Sequence, residues 1–310
     1  MWLPPLVALA IATFTSPAGV SGAFLILPFQ MSVLHFTGPA VSPTNLVYNI
    51  VAIPGGIYRY IREGRMAWPL TWVVVMGTLP GIFTGAIVRI KYMPSERPFK
   101  LFVGLVLLYL GIRLLYDLSG RARRRQEQNS ALDKKFQEHV RRAKEQGARV
   151  AALAEDAIVK TKLISVKKIE YEFWGETFSF NPCAIFVLSL VVGMIGGIYG
   201  IGGGAIIAPF LVSVMELPVY TVAGAALAGT FVTSIAGVVF YEILSWIGIG
   251  GNMPVAPHWA LGALFGFGGL LGTYLGARIQ KFIPQNIIKG LLGVLVTLLA
   301  IRYVSQYFFA

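Results

Sequence analysis

In a chain of 310 residues, 56% are hydrophobic and only 13% charged, about half the charged share of an ordinary soluble domain. This excludes a water-soluble globule and points to a membrane protein. The net charge of +12 gathers at the ends of apolar stretches and in one polar insert, which reads as orientation charge and contact with membrane lipids, with no nucleic acid partner; the single cysteine, Cys183, cannot form an internal disulfide, and no Cys/His cluster suggests a metal or any other cofactor.

Taken in chain order, "MWLPPLVALAIATFTSPAG" (1–19) has the apolar run of a signal peptide but no basic residue before it, and that run has a counterpart later in the chain. It is read as a retained first helix. Uncharged stretches of about 20 residues, enough to cross the hydrocarbon core as a helix, follow near 40–58, 69–88 and 101–117. Residues 118–180 then hold 14 Lys and Arg and 9 Asp and Glu, so 23 of the chain's 40 charged residues lie in this one segment. Such a segment belongs in water. It opens with "RARRR" (121–125), continues as an amphipathic helix through Leu132, Phe136 and Val140, and ends in "IEYEFWGETFSF" (169–180), whose alternation around Gly175 predicts a short hairpin. Two predicted helices separate the loop at 62–66 from the insert, so both share one side of the membrane. That side holds Arg59, Arg62, Arg65, Arg113 and the 121–125 arginines, against Arg89, Lys91, Arg97 and Lys100 opposite. The positive-inside rule therefore predicts a multi-pass protein of the cell (inner) membrane with residues 118–180 cytoplasmic. Further spans are predicted near 219–241, 257–277 and 290–308.

Between the insert and those spans runs a segment, 182–216, that contains "MIGGIYGIGGGAIIAPFLV" (194–212). Its roughly 35 residues would extend over about 50 Å as one helix, too long for a core of about 30 Å and marginal for two full crossings. Glycine is the poorest ordinary helix former, so a break is expected at "GIGGG" (200–204), with a half-helix starting at "AIIAPFLVSVM". Backbone N–H groups freed there must be buried in protein or line a wet cavity. Together with the positive helix end they favour an anion. A dinucleotide-binding reading fails for want of a strand–turn–helix context and a following acidic residue, and a phosphate-binding loop fails for want of a Gly-Lys-Ser/Thr ending.

The chain also repeats itself. Laying "SPAGVSGAFLILPF" (16–29) under "GGIYGIGGGAIIAPF" (196–210) aligns Pro28 with Pro209, and the same offset pairs Gly19 with Gly200, Gly22 with Gly203, Phe29 with Phe210, Gly56 with Gly237 and Tyr60 with Tyr241. After a longer loop in the second copy, Gly77, Gly81 and Gly85 pair with Gly268, Gly272 and Gly276, and Arg113 with Arg302. Matched glycines and prolines at one spacing predict an internal duplication: repeats over 1–117 and 181–310, separated by the insert at 118–180. Repeats of this kind build many secondary transporters, with substrate held at their interface. The glycines at spacing four are read as helix-packing positions.

"GGIYGIGGGAIIAPFLV", followed by "LPVYTVAGAALAGTFVTSIAG", resembles the glycine-rich signature of the TauE/SafE sulfite exporter family, and the resemblance spans nearly the whole chain outside the insert. Gly196, Gly200, Gly202, Gly203, Gly204 and Pro209 match the pattern. The first half departs from it, with Ser16, Ala18 and Ala23 where glycine is more usual and "SPTNL" in place of an Ala-Thr-Ser stretch. The resemblance implies an integral membrane permease for small sulfur-containing anions such as sulfite and organosulfonates.

An oxyanion held without metal needs neutral donors near the break. The candidates are Ser21, Gly22, Thr44, Asn45 and Asn49 in the first repeat, and Gly200, Gly202, Gly203, Gly204, Thr230, Thr233 and Ser234 in the second, with Asn49 aligned to Thr230. Each hydroxyl alone could instead bond the preceding helical turn; recurrence at repeat-equivalent positions is what argues for ligation. Arg59 and Glu242, within about a turn of their helix ends, read as snorkelling side chains. His35 falls in a turn and His258 at the start of a span. No nucleophile sits beside an evident base, so the chain is not read as an enzyme.

The expected architecture is an all-α polytopic membrane protein with two repeats of about four spans each, glycine-broken first segments, and a small helix and β-hairpin insert. The expected function is secondary transport, in the direction of export that the family's name implies, of a small sulfur-containing anion by alternating access. The other readings are a permease for a different small solute, which for a cation would place carboxylates near the breaks, and a membrane sensor or scaffold acting through the insert.

Overall fold

The computed structural model describes residues 2–16, 21–62, 64, 66–119, 159–173, 176–279 and 285–309. Apolar runs form α1 (Leu3–Thr15), α2 (Ala23–Ser32), α3 (Val41–Ala52), α4 (Pro54–Arg62), α5 (Trp68–Lys91) and α6 (Glu96–Tyr116). Three strands follow, β1 (Lys160–Ile164), β2 (Ile169–Phe173) and β3 (Glu176–Phe180), then α7 (Pro182–Tyr199), α8 (Gly204–Ser213), α9 (Val219–Trp246), α10 (Trp259–Ile279) and α11 (Gln285–Phe309).

Among the described residues six helices, α5, α6, α7, α9, α10 and α11, are long and apolar enough to cross a membrane. That is fewer than the expected eight or so. The span expected near 40–58 divides at Pro54, which has no N–H for the helical ladder and opens α4. At 13 and 10 residues, α1 and α2 are also too short to cross. Polarity is arranged for lipid: Trp72, Phe267 and Leu298 are exposed, whereas Ser42, Asn45, Asn49, Thr233 and Ser234 are buried. The protein is thus a multi-pass membrane protein.

Small residues set which helices touch. A Cβ built on Gly77 would lie 2.6 Å from Ser189 Cβ, one on Gly81 2.9 Å from the Gly193 carbonyl carbon, and one on Gly85 3.0 Å from Gly197 Cα. Equal steps along both helices mean that α5 and α7 run parallel in near backbone contact, as small-xxx-small faces allow in membranes. In the same way Gly268 and Gly272 of α10 meet the backbone of Pro5 and Leu9 in α1. Replacing Gly81 by leucine should therefore separate α5 from α7 and lower the melting temperature in detergent, at a cost of at least about 1–3 kcal/mol for overpacking.

Other pairs run antiparallel. A Cβ on Gly237 would lie 2.7 Å from Leu46 Cδ1, one on Gly56 3.3 Å from Leu227 Cδ1, and one on Gly224 3.2 Å from Tyr60 Cδ1. Each step along α3 and α4 is thus matched by a step back along α9. The pair α6 and α11 behaves likewise: a Cβ on Gly104 would lie 3.0 Å from Val304 Cγ2, one on Gly111 3.0 Å from Thr297 N, and one on Gly293 2.8 Å from Leu115 Cδ2.

The strands form one antiparallel sheet in the order β1-β2-β3. The expected hairpin is β2–β3, with Phe173 opposite Glu176 and Ile169 opposite Phe180. A third strand, β1, joins the free edge of β2 with Lys160 opposite Glu172. Lys162 Nζ lies 2.7 Å from Glu172 Oε2 and holds that carboxyl below the usual carboxylate range. The sheet docks on the helices through the buried Tyr171, whose hydroxyl is 2.9 Å from Thr221 Oγ1 at the start of α9 and whose ionisation burial pushes up. Val159 N donates to Gly64 O at 3.1 Å, so the sheet and the α4–α5 loop share one face; loops 33–40, 92–95 and 247–258 lie at the other. Gly19, the "RARRR" run, the helix expected through Leu132, Phe136 and Val140, and Gly175 fall outside the described residues.

Candidate functional site

Helix α7 enters from the sheet face and stops at Gly200, which adopts φ +89°, followed by Gly202 at +68° and Gly203 at +82°. Three left-handed residues among four are tolerated only by glycine without strain. The chain doubles back: a Cβ on Gly196 would lie 2.7 Å from Gly203 N. From there α8 descends beside α9, Gly202 facing Thr230 and Ser234, and Gly204 facing Thr230 and Ala226. The first segment after the sheet is therefore a helical hairpin whose tip, the glycine turn, is buried in protein, as irregular backbone in a membrane protein requires.

The two sides of the turn differ. The last carbonyls of α7 are occupied: Gly196 O accepts from Gly200 N at 2.7 Å, Gly197 O from Tyr241 Oη at 2.9 Å, and Ile198 O from Ser42 Oγ at 2.6 Å. The start of α8 has no side-chain cap. Its first amides to bond are those of Ile206 and Ile207, both to Gly203 O at 3.0 Å, and the Gly203 and Gly204 N–H groups make no bond among the described residues. The turn is closed on its negative side and open on its positive one.

One unpaired polar side chain stands beside it, and a second lies level with the first. Ser234 is fully buried, its hydroxyl without a partner and 2.8 Å from where a Cβ on Gly202 would sit. Asn49 is fully buried too, and neither its Nδ2 nor its Oδ1 is bonded. The antiparallel register of α3 and α9 brings Asn49 level with Ser234. A buried amide left unpaired costs about 1–3 kcal/mol, which is reason to look for a ligand here. Ser189, on α7 one turn before Val192 and likewise buried and unpartnered, was not among the expected residues.

The remaining candidates are spent on structure. Thr44 donates to Ala40 O at 2.7 Å and accepts from His258 N at 2.8 Å. Asn45 donates to Ala23 O at 2.9 Å and accepts from Gln30 Nε2 at 3.5 Å. Thr230 bonds Ala226 O at 2.8 Å, and Thr233 bonds Gly229 O at 2.6 Å and Gly202 O at 3.1 Å, pinning the turn rather than lining it. Ser21 accepts the Ala23 N–H at 3.3 Å just ahead of α2; at Gly22 a Cβ would lie 2.7 Å from Tyr48 Oη. Away from the turn, His258 Nδ1 accepts the Leu261 N–H at the start of α10, and Glu242 accepts from exposed Trp259 Nε1 at 2.7 Å. Three hydroxyls that organise the site escaped the sequence reading: Ser42, Tyr199 and Tyr241. Tyr199 donates to Phe24 O at 2.7 Å, the carbonyl that Pro28, four residues on, cannot serve for lack of an N–H.

A family model described as "Sulfite exporter TauE/SafE" matches residues 5–303. The chain belongs to the TauE/SafE sulfite exporter family. That match runs through the glycine turn, Asn49 and Ser234 alike. The TauE/SafE family is one of membrane transporters and not of enzymes. Among curated proteins the chain is similar to "Sulfite exporter TauE/SafE family protein 2" of Arabidopsis thaliana, at 38% identity over 55 residues, 18% of this chain and 12% of that protein, so the match covers a small part of the relative's length. No solved structure matches the chain.

Proposed function

We propose that the protein is a secondary transporter that carries a small sulfur-containing anion, such as sulfite or an organosulfonate, past the glycine turn. One observation carries this reading: the turn keeps its amides free where Asn49 and Ser234 are buried with nothing to bond. The anion would accept hydrogen bonds from the Gly203 and Gly204 amides, from Asn49 Nδ2 and from Ser234 Oγ, helped by the positive end of α8. These donors are neutral, so release costs less than from a salt bridge. Closure over the site is that of an occluded state, and alternating access requires it to open to each face in turn.

The duplication supports the same mechanism. If 1–117 and 181–310 are repeats, α3 with α4 is equivalent to α9 and α6 to α11, and both of these equivalent pairs run antiparallel. A two-fold axis in the membrane plane relates such pairs, making the repeats inverted, with a glycine-broken hairpin entering from each face. The parallel pairs α5–α7 and α1–α10 are then each other's counterparts. On this reading the insert at 118–180 lies in the cytoplasm and transport runs outward.

The test is counterflow in proteoliposomes with labelled sulfite, thiosulfate, sulfoacetate and taurine. At least one should exchange in a protein-dependent, saturable way. If none moves through protein shown to be folded and inserted, the reading fails.

A further inference from the structure

Arg89 reads in the sequence as a surface charge marking a span end. In the structure it is fully buried in the last turn of α5. Its guanidinium donates to Thr37 O at 3.1 Å, to Gly38 O at 2.9 Å and to Met93 O, and lies 3.7 Å over the Phe99 ring; Nε has no partner. Among the described residues no carboxylate pairs with it, and Glu96 on neighbouring α6 is held 2.5 Å from Lys100. A full positive charge is thus kept out of water by carbonyl dipoles and an aromatic face alone. Buried charges are ordinarily paired, because desolvation is costly and a counter-charge offsets it best.

Its position gives this meaning. The parallel register of α5 and α7, Gly77 with Ser189, Gly81 with Gly193 and Gly85 with Gly197, carries Arg89 one helical turn past the Gly85–Gly197 contact, beyond the tip of α7. The loop it grips at Thr37 and Gly38 leads directly into α3, whose Ser42 caps the tip of α7 through Ile198 O. Arg89 therefore ties shut the face opposite the sheet.

We propose that Arg89 is an anion-drawn latch: the permeating anion is the counter-charge the guanidinium lacks, and its approach draws the side chain off the Thr37 and Gly38 carbonyls and frees the loop. The anionic nature of the ligand rests on the transport reading above. A charge-assisted bond to an oxyanion is stronger than one to a neutral carbonyl, and a bidentate one more so, which sets the direction of the exchange. Arg89 so acts as a positioning residue for the closed state and a transient binding station at one mouth of the pathway.

The test uses the full chain in lipid nanodiscs, with Cys183 replaced by serine and buried Ala40 replaced by cysteine as a reporter where the loop meets α3. A cationic, membrane-impermeant thiol reagent is applied with and without isethionate, a small sulfonate. Without anion, Arg89→Gln should label about tenfold faster than the parent, the loss expected for hydrogen bonds to a charged group. Phe99→Leu, which keeps the charge but removes the ring beneath it, should fall between, and serves if Arg89→Gln does not fold. Isethionate should speed labelling of the parent and leave Arg89→Gln unchanged. Labelling of Arg89→Gln and Phe99→Leu at the parent rate, or acceleration of parent and variant alike by isethionate, overturns the latch. A parent that moves no sulfonate in liposomes defeats the transport reading separately, whatever the thiol rates show.

Discussion

Replacing Asn49 by leucine should sharply lower anion flux while leaving the protein as stable as before, or more so. The side chain is fully buried with both polar atoms unbonded, so in the empty protein it is a liability of about 1–3 kcal/mol that a near-isosteric leucine removes. With anion bound, the loss of a hydrogen bond to a charged group, about 1.5–3 kcal/mol, becomes a loss of roughly tenfold to a hundredfold in transport. Counterflow rate and detergent melting temperature measured together decide the matter. A leucine variant that transports normally, or that melts several degrees lower, would make Asn49 a packing residue. Asn45→Leu is the control. Its amide ties α3 to Ala23 O, so that change should destabilise.

The glycine turn should respond to alanine in graded fashion. At Gly203 a methyl would come nearest to Val192 Cγ1 at 3.3 Å, with Val192 O and Thr78 Cγ2 at ordinary contact distance, so the cost is chiefly that of the left-handed backbone, about 1–2 kcal/mol. At Gly202 it would lie 2.7 Å from Thr230 Cγ2 and 2.8 Å from Ser234 Oγ, filling the space beside the unpaired hydroxyl. Flux should be lost there before folding is. At Gly200 it would strike the Ser42 carbonyl, which cannot yield without dislodging the cap on Ile198. The backbone and packing costs then add to about 2–5 kcal/mol, the largest of the three and enough to cut the accumulation of folded protein. Expression and melting temperature should fall in the order Gly203→Ala, Gly202→Ala, Gly200→Ala; equal effects at the three sites would contradict the turn as described.

The break itself was legible in the sequence, because three consecutive glycines among apolar residues have no role in a continuous helix. Its partners were less so. Hydropathy does not register Pro54, so α3 and α4 merge into a single expected span and the count of crossings rises. Thr44, Asn45 and Asn49 share one helix and one polar character. Only their tertiary neighbours, His258 N for the first, Ala23 O and Gln30 for the second, separate spent groups from the idle one. Strand β1 is exposed along its whole length, so no buried face imposed a period that could be read. Arg89 was misjudged for a similar reason, since its burial depends on carbonyls some fifty residues away.

The bond from Tyr199 to Phe24 O has a consequence for biogenesis. As the ribosome delivers the chain, α2 enters the bilayer with a carbonyl that its own proline has orphaned, and α1 arrives without the α10 surface on which it packs. Both wait for residues made well over a hundred positions later. Early segments must therefore be sheltered by the insertion machinery or by one another until the distal tyrosine appears, and truncation ahead of it should yield a product that quality-control proteases remove.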